Sequence, residues 1–394
     1  MKDVWILNQE DTFYRDTWVE IDLDAIAFNI SELRKRLHPK NKLIAVVKAN
    51  GYGHGALQIA KTALESGANA LAVAFLDEAI SLRQSGVTAP ILVLGASRPR
   101  DIEMAIKYKV TLTVFYMDWL EEAVRYLPNK ETLTIHLKLD TGMGRIGLRK
   151  EQEVQQAEEL LAKYPNIVVE GVFTHFATAD EKDSSYFAQQ VNRFKELLAS
   201  FSRLPEIIHC SNSATSLMHP DLQYNAVRLG ISMYGLTPSL EIEPDLPYRL
   251  QEAFSLHTKL VQVKKLNKGD KVSYGATYEA ENEQWIGTLP IGYADGWLRK
   301  LQWQEVLVNG MRVPIVGRVC MDQCMIRLPS YLKPGTDVTL IGKQKDEAIS
   351  VNEIAAKLET INYEVTCIIA TRVPRVYIKN GSIQHTVNPL INHG

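Results

Sequence analysis

Leu43–Ala56, LIAVVKANGYGHGA, is the stretch whose reading decides the fold. It opens on an unbroken apolar run, Leu43, Ile44, Ala45, Val46 and Val47, which suits a strand covered on both faces, as in a parallel sheet flanked by helices. The run ends on Lys48. A turn rich in glycine and polar residues follows, Asn50 to Gly55, where glycine permits backbone conformations closed to other residues and lets a ligand approach the main chain. Leu57, Ala60 and Leu64 then recur at helical spacing before Gly67, a helix stop. A lysine delivered to the carboxyl end of a buried strand suits an imine-forming amine. Most lysines at strand ends are merely solvated, so the weight has to come from elsewhere in the chain.

Outward from this stretch the same pattern repeats. Apolar runs at Ala70 to Ala74, Pro90 to Gly95, Thr111 to Phe115, Leu133 to Leu139, Val168 to Thr174, Glu206 to Cys210 and Ala226 to Leu229 alternate with amphipathic stretches such as EQEVQQAEELLAKY and DSSYFAQQVNRFKELLASF. Strand-helix alternation forces parallel strands, and eight such units match a closed (β/α)8 TIM barrel better than an open sheet. Chemistry in such barrels sits at the carboxyl ends of the strands. There the sequence places Lys48, Lys138 with Asp140, His175, His209 with Ser213, and Arg228. Before the first unit, Asp22 and Asp24 are candidate caps for a helix whose Ile26, Ile30 and Leu33 share one face.

The proline-rich, acidic TPSLEIEPDLPYRLQ reads as a linker. Beyond it short β-type runs alternate with turns, and Asn309-Gly310 and Asn380-Gly381 are hairpin dipeptides. Only Val351 to Leu358 reads as helical. The expected organisation is an N-terminal segment at 1–18 packing on the β domain, a barrel at 19–245, and a mostly antiparallel β domain at 246–394.

Bulk numbers narrow the function. At 394 residues two domains are the default. With 44 basic against 46 acidic residues and no basic run, neither nucleic acid nor a membrane surface is the expected partner; a small molecule is. The start carries no secretory pattern, and four cysteines are too few for a disulfide framework, so a cytoplasmic protein with reduced thiols is expected. No histidine or cysteine group has metal-ligand spacing, and no metal is assigned.

AVVKANGYGHGA closely resembles the pyridoxal-phosphate attachment signature of alanine racemases. LKLDTGMGRIG at Leu137 to Gly147, THFATAD at Thr174 to Asp180, HCSNSATS at His209 to Ser216, VRLGISMYG at Val227 to Gly235, VSYGATY at Val272 to Tyr278, IGYADGW at Ile291 to Trp297, GRVCMDQCM at Gly317 to Met325 and INYEV at Ile361 to Val365 are similar to that family in the same order. The resemblance implies pyridoxal 5'-phosphate as cofactor, with Lys48 forming the imine, and Tyr52, Ser213, Gly230, Ile231 and Tyr363 holding the phosphate. It implies Arg228 at the pyridine nitrogen. Because arginine only donates, the ring nitrogen there acts as an acceptor.

The implied activity is interconversion of L- and D-alanine, supplying D-alanine for peptidoglycan. Racemisation needs proton removal on one face of the α-carbon and delivery on the other, so two acid-base groups are the simplest solution. By resemblance these are Lys48 and Tyr274, the latter reaching the cofactor of the other subunit with Met321 beside it, which makes a homodimer the active unit. A free tyrosine has a pKa of about 10 and needs help to act near neutrality. Arg228 with His209 as intermediary, and Asp322 as an orienting acceptor, are the candidates. Arg145 resembles the arginine that contacts the cofactor's phenolic oxygen and the substrate carboxylate, and Lys138 the lysine carbamylated in many members; an amine paired with Asp140 is the alternative. Tyr293 with Met321 completes the carboxylate end, His175 lies near the cofactor ring, His54 serves its own turn, and Asp180, Arg299 and Arg318 resemble outer channel residues. A broad-specificity or serine racemase, a decarboxylase of the same layout, and a non-catalytic cofactor carrier are the competing readings.

Overall fold

A computed structural model describes residues 13–128 and 131–391. The chain forms two compact units. One comprises Ile26–Gly51 and Ala56–Gln251; the other comprises the described parts of Met1–Ala25 and Glu252–Gly394, together with Tyr52–Gly55. Of the N-terminal segment expected at 1–18, residues 1–12 lie outside the described residues. The rest leads into a strand that composition does not signal, β1 (Thr17–Asp22), which belongs to the β unit. Asp22 Oδ1 accepts the Ala25 amide at 2.9 Å and so caps the first helix, as its sequence suggests.

The barrel strands are β2 (Lys42–Val46), β3 (Ala70–Val73), β4 (Ile91–Val93), β5 (Leu112–Val114), β6 (Leu133–Lys138), β7 (Ile167–Phe173), β8 (Ile207–His209) and β9 (Ala226–Leu229). They run parallel in two arcs, β4-β3-β2-β9 and β5-β6-β7-β8. Thr111 joins the arcs on one side, donating to the Ile91 carbonyl and accepting from Val93, both at 2.9 Å. On the other side Asn225 replaces the missing ladder. Its amide group accepts from Ile208 N at 2.8 Å and donates to Glu206 O at 2.7 Å, and Arg228 N reaches Ser211 O at 3.1 Å further up. The eight strands therefore close into the expected barrel. Runs such as Leu43–Val47 are fully buried because helices cover one face and the barrel interior the other.

The β unit is built on a mostly antiparallel sheet. Its strands are β10 (Phe254–Lys259), β11 (Gln262–Leu266), β12 (Lys271–Val272), β13 (Tyr278–Glu279), β14 (Gln284–Leu289), β15 (Glu305–Val308), β16 (Met311–Val316), β17 (Cys324–Leu328), β18 (Asp337–Gln344), β19 (Glu347–Ile349), β20 (Arg375–Lys379) and β21 (Ser382–Val387). The large sheet runs β11-β14-β17-β16-β15-β18-β10-β1-β20-β21, and only β1 with β20 is parallel. Both Asn-Gly pairs turn as expected. Asn309 and Gly310 have φ of 52° and 77°, and Asn380 and Gly381 52° and 68°, the doubly left-handed turn that matches strand twist. One expectation needs correction. Besides Val351–Leu358, Asn362–Ile368 is also helical. It is too short and too rich in Val, Thr and Ile to declare itself by propensity.

Candidate active site

The turn after β2 is unusual in its backbone. Ala49, Asn50, Gly51, Tyr52 and Gly53 all have φ between 51° and 84°, a continuous left-handed stretch that costs roughly 1–2 kcal/mol for each non-glycine residue. Such strain persists only where surrounding structure holds it. Asn50 Oδ1 accepts from Ala56 N at 3.0 Å. Glu78, which caps its own helix by accepting from Ala74 and Phe75 amides, also accepts from Ala49 N at 2.6 Å and so grips the residue after Lys48. Within the β unit a Cβ on Gly53 would lie 2.1 Å from the Thr366 carbonyl, so only glycine fits there. Arg375 clamps this region, donating to Gly53 O at 3.1 Å and to the carbonyls of Ile369, Ala370 and Val373 at 2.6 Å. His54 Nδ1 meets Tyr52 O at 3.0 Å, serving the turn.

In the barrel unit, charge concentrates at the carboxyl ends of the strands. Arg228, only 3% exposed, spreads its guanidinium across five acceptors: His209 Nδ1 at 2.7 Å, His175 Nδ1 at 3.4 Å, and the carbonyls of Thr174, His209 and Cys210 at 2.9 to 3.3 Å. Burial pulls its pKa down to about 10, which leaves it a cation near neutrality. Burial, with the charges of Arg228, Lys138, Arg145 and Lys48 adding to it, drives His175 well below the ordinary histidine range. His175 is therefore neutral, and because its Nδ1 accepts from an arginine, its proton is on Nε2.

Lys138 is the second buried cation site. Burial, then Arg145, Arg228 and Lys48, outweigh Asp140 and bring its pKa down to about 7. Asp140 is occupied elsewhere: it accepts from Gly142 and Gly144 amides at 3.1 and 2.9 Å and lies 3.6 Å from Arg149. These bonds shape a loop whose ends are pinned by Asp140 N to Leu148 O and Leu148 N to Lys138 O, at 2.9 and 2.8 Å. Arg145 stands exposed on that loop. Lys138 Nζ and the Arg228 guanidinium both lie over the Phe173 ring, 5.5 and 5.4 Å from its centre.

Ser213 sits at the first turn of a short helix, but the cap is Asn212, whose Oδ1 accepts from Thr215 N at 3.0 Å. That leaves the Ser213 hydroxyl to gather the loop after β9, accepting from Gly230 N at 3.0 Å and Ser232 N at 3.4 Å. Ile231 opens the turn that follows. Tyr52 and Tyr363 face each other within the β unit, ring centres 6.2 Å apart, and burial with the neighbouring Cys367 pushes the Tyr52 hydroxyl pKa up.

The β unit carries the remaining candidates. Tyr274 is 72% exposed at the tip of the β12-β13 hairpin. Ser273, Gly275 and Ala276 around it are left-handed, and Val272 and Tyr278 below it are buried in a cluster with Ile286, Val316 and Met325. Burial of such side chains contributes about 1.5–3 kcal/mol apiece, which anchors the flanks while the tip stays displayed. The Arg318 guanidinium lies alongside Gly275, and Arg318 O accepts from Ser273 Oγ at 2.5 Å. Met321 is 53% exposed, and Tyr293 and Arg299 are also exposed. Tyr293 N and Ala294 N bond the carbonyls of Cys320 and Met321 at 2.9 and 3.0 Å, locking the two motifs together. Asp322 meets Arg372 at 2.6 Å, and Arg372 and Arg15 both hold the fully buried Asp295, at 2.8 and 2.7 Å. Asp180, in the barrel unit, has its pKa raised chiefly by burial.

His209 departs from its expected place as an intermediary. Both its ring nitrogens are engaged inside the barrel, Nδ1 by Arg228 and Nε2 by His136 at 2.9 Å. His136 in turn meets Glu170 Oε2 at 3.2 Å. Neither His136 nor Glu170 is visible as a site residue in sequence, because one sits mid-strand and the other before a glycine within an apolar run.

A family model described as Alanine racemase, N-terminal domain, matches residues 21–238, and one described as Alanine racemase, C-terminal domain, matches 253–377. The chain belongs to the alanine racemase family. With it comes the isomerase class of enzyme. A racemase of this family from Geobacillus stearothermophilus is 57% identical over 378 residues, 96% of this chain and 97% of that protein. The crystal structure of alanine racemase from Bacillus anthracis with bound L-Ala-P is 52% identical, with a TM-score of 0.94 and coverage of 96% and 99% of the two chains. A histidine racemase from Leuconostoc mesenteroides is 31% identical with a TM-score of 0.89, covering 94% of this chain and all of that one. The fold therefore hosts more than one substrate.

Proposed function

We propose that the protein interconverts L-alanine and D-alanine with pyridoxal 5'-phosphate as cofactor. The observation that carries the reading is the meeting of Lys48, Lys138, Arg145 and Arg228 around a neutral His175 at one end of the barrel, with Asp140 the acidic group among the charges acting on Lys138. That excess of positive charge suits a ligand bearing a phosphate, a phenolate and a carboxylate. Ser213 with the Gly230–Ile231 turn it gathers would hold the phosphate and Arg228 the ring nitrogen, while the phosphate roles of Tyr52 and Tyr363 are carried over from the family resemblance. When bound, the cofactor supplies a conjugated ring that withdraws electrons from the substrate's α-carbon.

The residues supply the rest. Lys48 Nζ would link the cofactor and would hold a proton on one face of the substrate's α-carbon. Tyr274 Oη, from a second copy of the chain, carries it on the other, with Met321 and Tyr293 alongside at the carboxylate end. The histidine that assists is His175: its Nε2–H is a donor that favours the tyrosinate. Arg228 keeps its protons on its own nitrogens, which limits how far charge moves onto the ring. Asp180, Arg299 and Arg318 line the entrance, and Asp322 orients the Met321 segment through Arg372. Free cysteines and no helix, among the described residues, long and apolar enough to cross a membrane accord with a cytoplasmic role supplying D-alanine for peptidoglycan.

Incubation with pyridoxal phosphate and L-alanine, L-serine or L-lysine in deuterium oxide tests the activity. Chirality loss and α-deuterium uptake are expected for alanine first and lysine last; absence of exchange with all three would sink the reading. Lys138 gives a second prediction. A neutral amine, not an ammonium, adds carbon dioxide, and the pKa near 7 makes a large neutral fraction available at neutrality. At fixed dissolved 13C-labelled carbon dioxide, the carbamate resonance assigned to Lys138 is expected to grow through pH 7. Growth only near pH 10, as for solvated lysines, would remove the carbamate.

A further inference from the structure

The chain of side chains behind Arg228 has a direction. Arginine only donates, so His209 must offer a bare Nδ1 to the guanidinium at 2.7 Å. A neutral His209 then carries its proton on Nε2 and donates it to His136 Nδ1 at 2.9 Å. His136, likewise neutral, carries its proton on Nε2, 3.2 Å from the Glu170 carboxylate. Each link fixes the tautomer of the next. We propose that Glu170 and His136 are positioning residues that set the His209 tautomer and thereby hold Arg228 in place as a donor at the ring-nitrogen site.

The backbone is arranged for this. Pairing of β6 with β7 shifts register so that Ile135 faces Val169 while His136 faces Gly171, leaving Glu170 as the extra residue of a bulge. Bulges re-aim a side chain, and this one brings Glu170 to His136. Gly171 makes the space: a Cβ there would lie 2.5 Å from His136 Cε1. Phe173 stacks on His209 with ring centres 4.8 Å apart and planes 6° off parallel, and presents to His136 edge-on. Burial keeps His209 and His136 below the ordinary histidine range, and His136 keeps the Glu170 carboxyl low. Lys42 and Arg228 are the cations facing His136, and Lys42, which also pairs with Glu206 at 3.1 Å, faces Glu170.

Were Glu170 unable to accept, His136 would be free to place its proton on Nδ1. His209 would then be pressed to protonate Nδ1 and set a donor against the Arg228 donor. The link to catalysis rests on the proposed function, whereas the tautomers do not. The test uses full-length protein without cofactor, labelled with 15N at histidine, because two-bond proton-nitrogen spectra separate protonated from bare ring nitrogens. Both His136 and His209 are expected to carry Nε2–H in the parent chain. Glu170→Leu is expected to bring up the Nδ1–H form of His209, and Glu170→Gln, whose amide oxygen accepts, to keep Nε2–H. With cofactor and alanine, Glu170→Leu should lower kcat about tenfold, the scale of one hydrogen bond to a charged group, with KM little changed, and Glu170→Gln should restore most of it. A parent His209 protonated at Nδ1, an unshifted tautomer in Glu170→Leu, or equal losses in both variants would each overturn the proposal. The parent spectrum decides even if Glu170→Leu does not fold, and inactivity of the parent enzyme on alanine leaves the spectrum intact.

Discussion

Lys48→Ala is expected to lower racemisation more than about 10^4-fold in both directions, beyond the range that removal of a single acid-base group produces. The proposed site gives this one side chain two functions: the covalent link to the cofactor and the proton carrier on one face of the α-carbon. The absorbance band expected of a lysine-linked cofactor near the visible edge should vanish as well, even if pyridoxal phosphate still binds through the proposed phosphate donors. Tyr274→Phe provides the contrast. It removes only a hydroxyl from an exposed hairpin tip, so the band should stay while activity falls by about 10^2- to 10^4-fold. A persistent band in Lys48→Ala would take the lysine out of its role whatever happened to the rate. Folding is not expected to confound the result, since the left-handed turn is held by Glu78 on Ala49 N and Asn50 on Ala56 N, neither of which involves the Lys48 side chain.

The barrel was legible in sequence because short, mostly apolar runs recur along the first unit and most are followed by a helical stretch. The strand-end cluster of side chains was legible for the same reason: Lys48, Lys138, His175, His209 and Arg228 each interrupt or end a run. Resemblance carried what periodicity cannot, above all Tyr274 and Arg145, which lie in loops with no pattern of their own. What stayed hidden was of another kind. Glu170 meets His136 from the extra position of a bulge, and a bulge leaves no composition signal. Glu78 reads as an ordinary helix-capping glutamate, and its reach to Ala49 depends on neighbouring barrel strands. The buried Asp295 between Arg15 and Arg372 joins residues 280 and 77 positions apart, a pairing no local window contains.

A mixture of the two impaired chains, Lys48→Ala and Tyr274→Phe, is expected to regain activity well above the residue of either alone. Lys48 belongs to the barrel unit and Tyr274 to the β unit, and the proposed site takes one from each of two copies. In a hybrid dimer one site then receives Lys48 from the tyrosine variant and Tyr274 from the lysine variant, both intact, while the other site receives both lesions. Random pairing makes half the dimers hybrids, so roughly a quarter of the parental activity should return, rising to about half if hybrids are purified by two different tags. A site built within one chain predicts none, because every copy then carries its own lesion. Activity returning only after subunit exchange, by reversible unfolding or co-expression, separates shared sites from contamination. If hybrids proven by mass to contain both chains remain inactive, the shared site fails, and with it the account of why a proton-carrying tyrosine is displayed on an exposed hairpin tip.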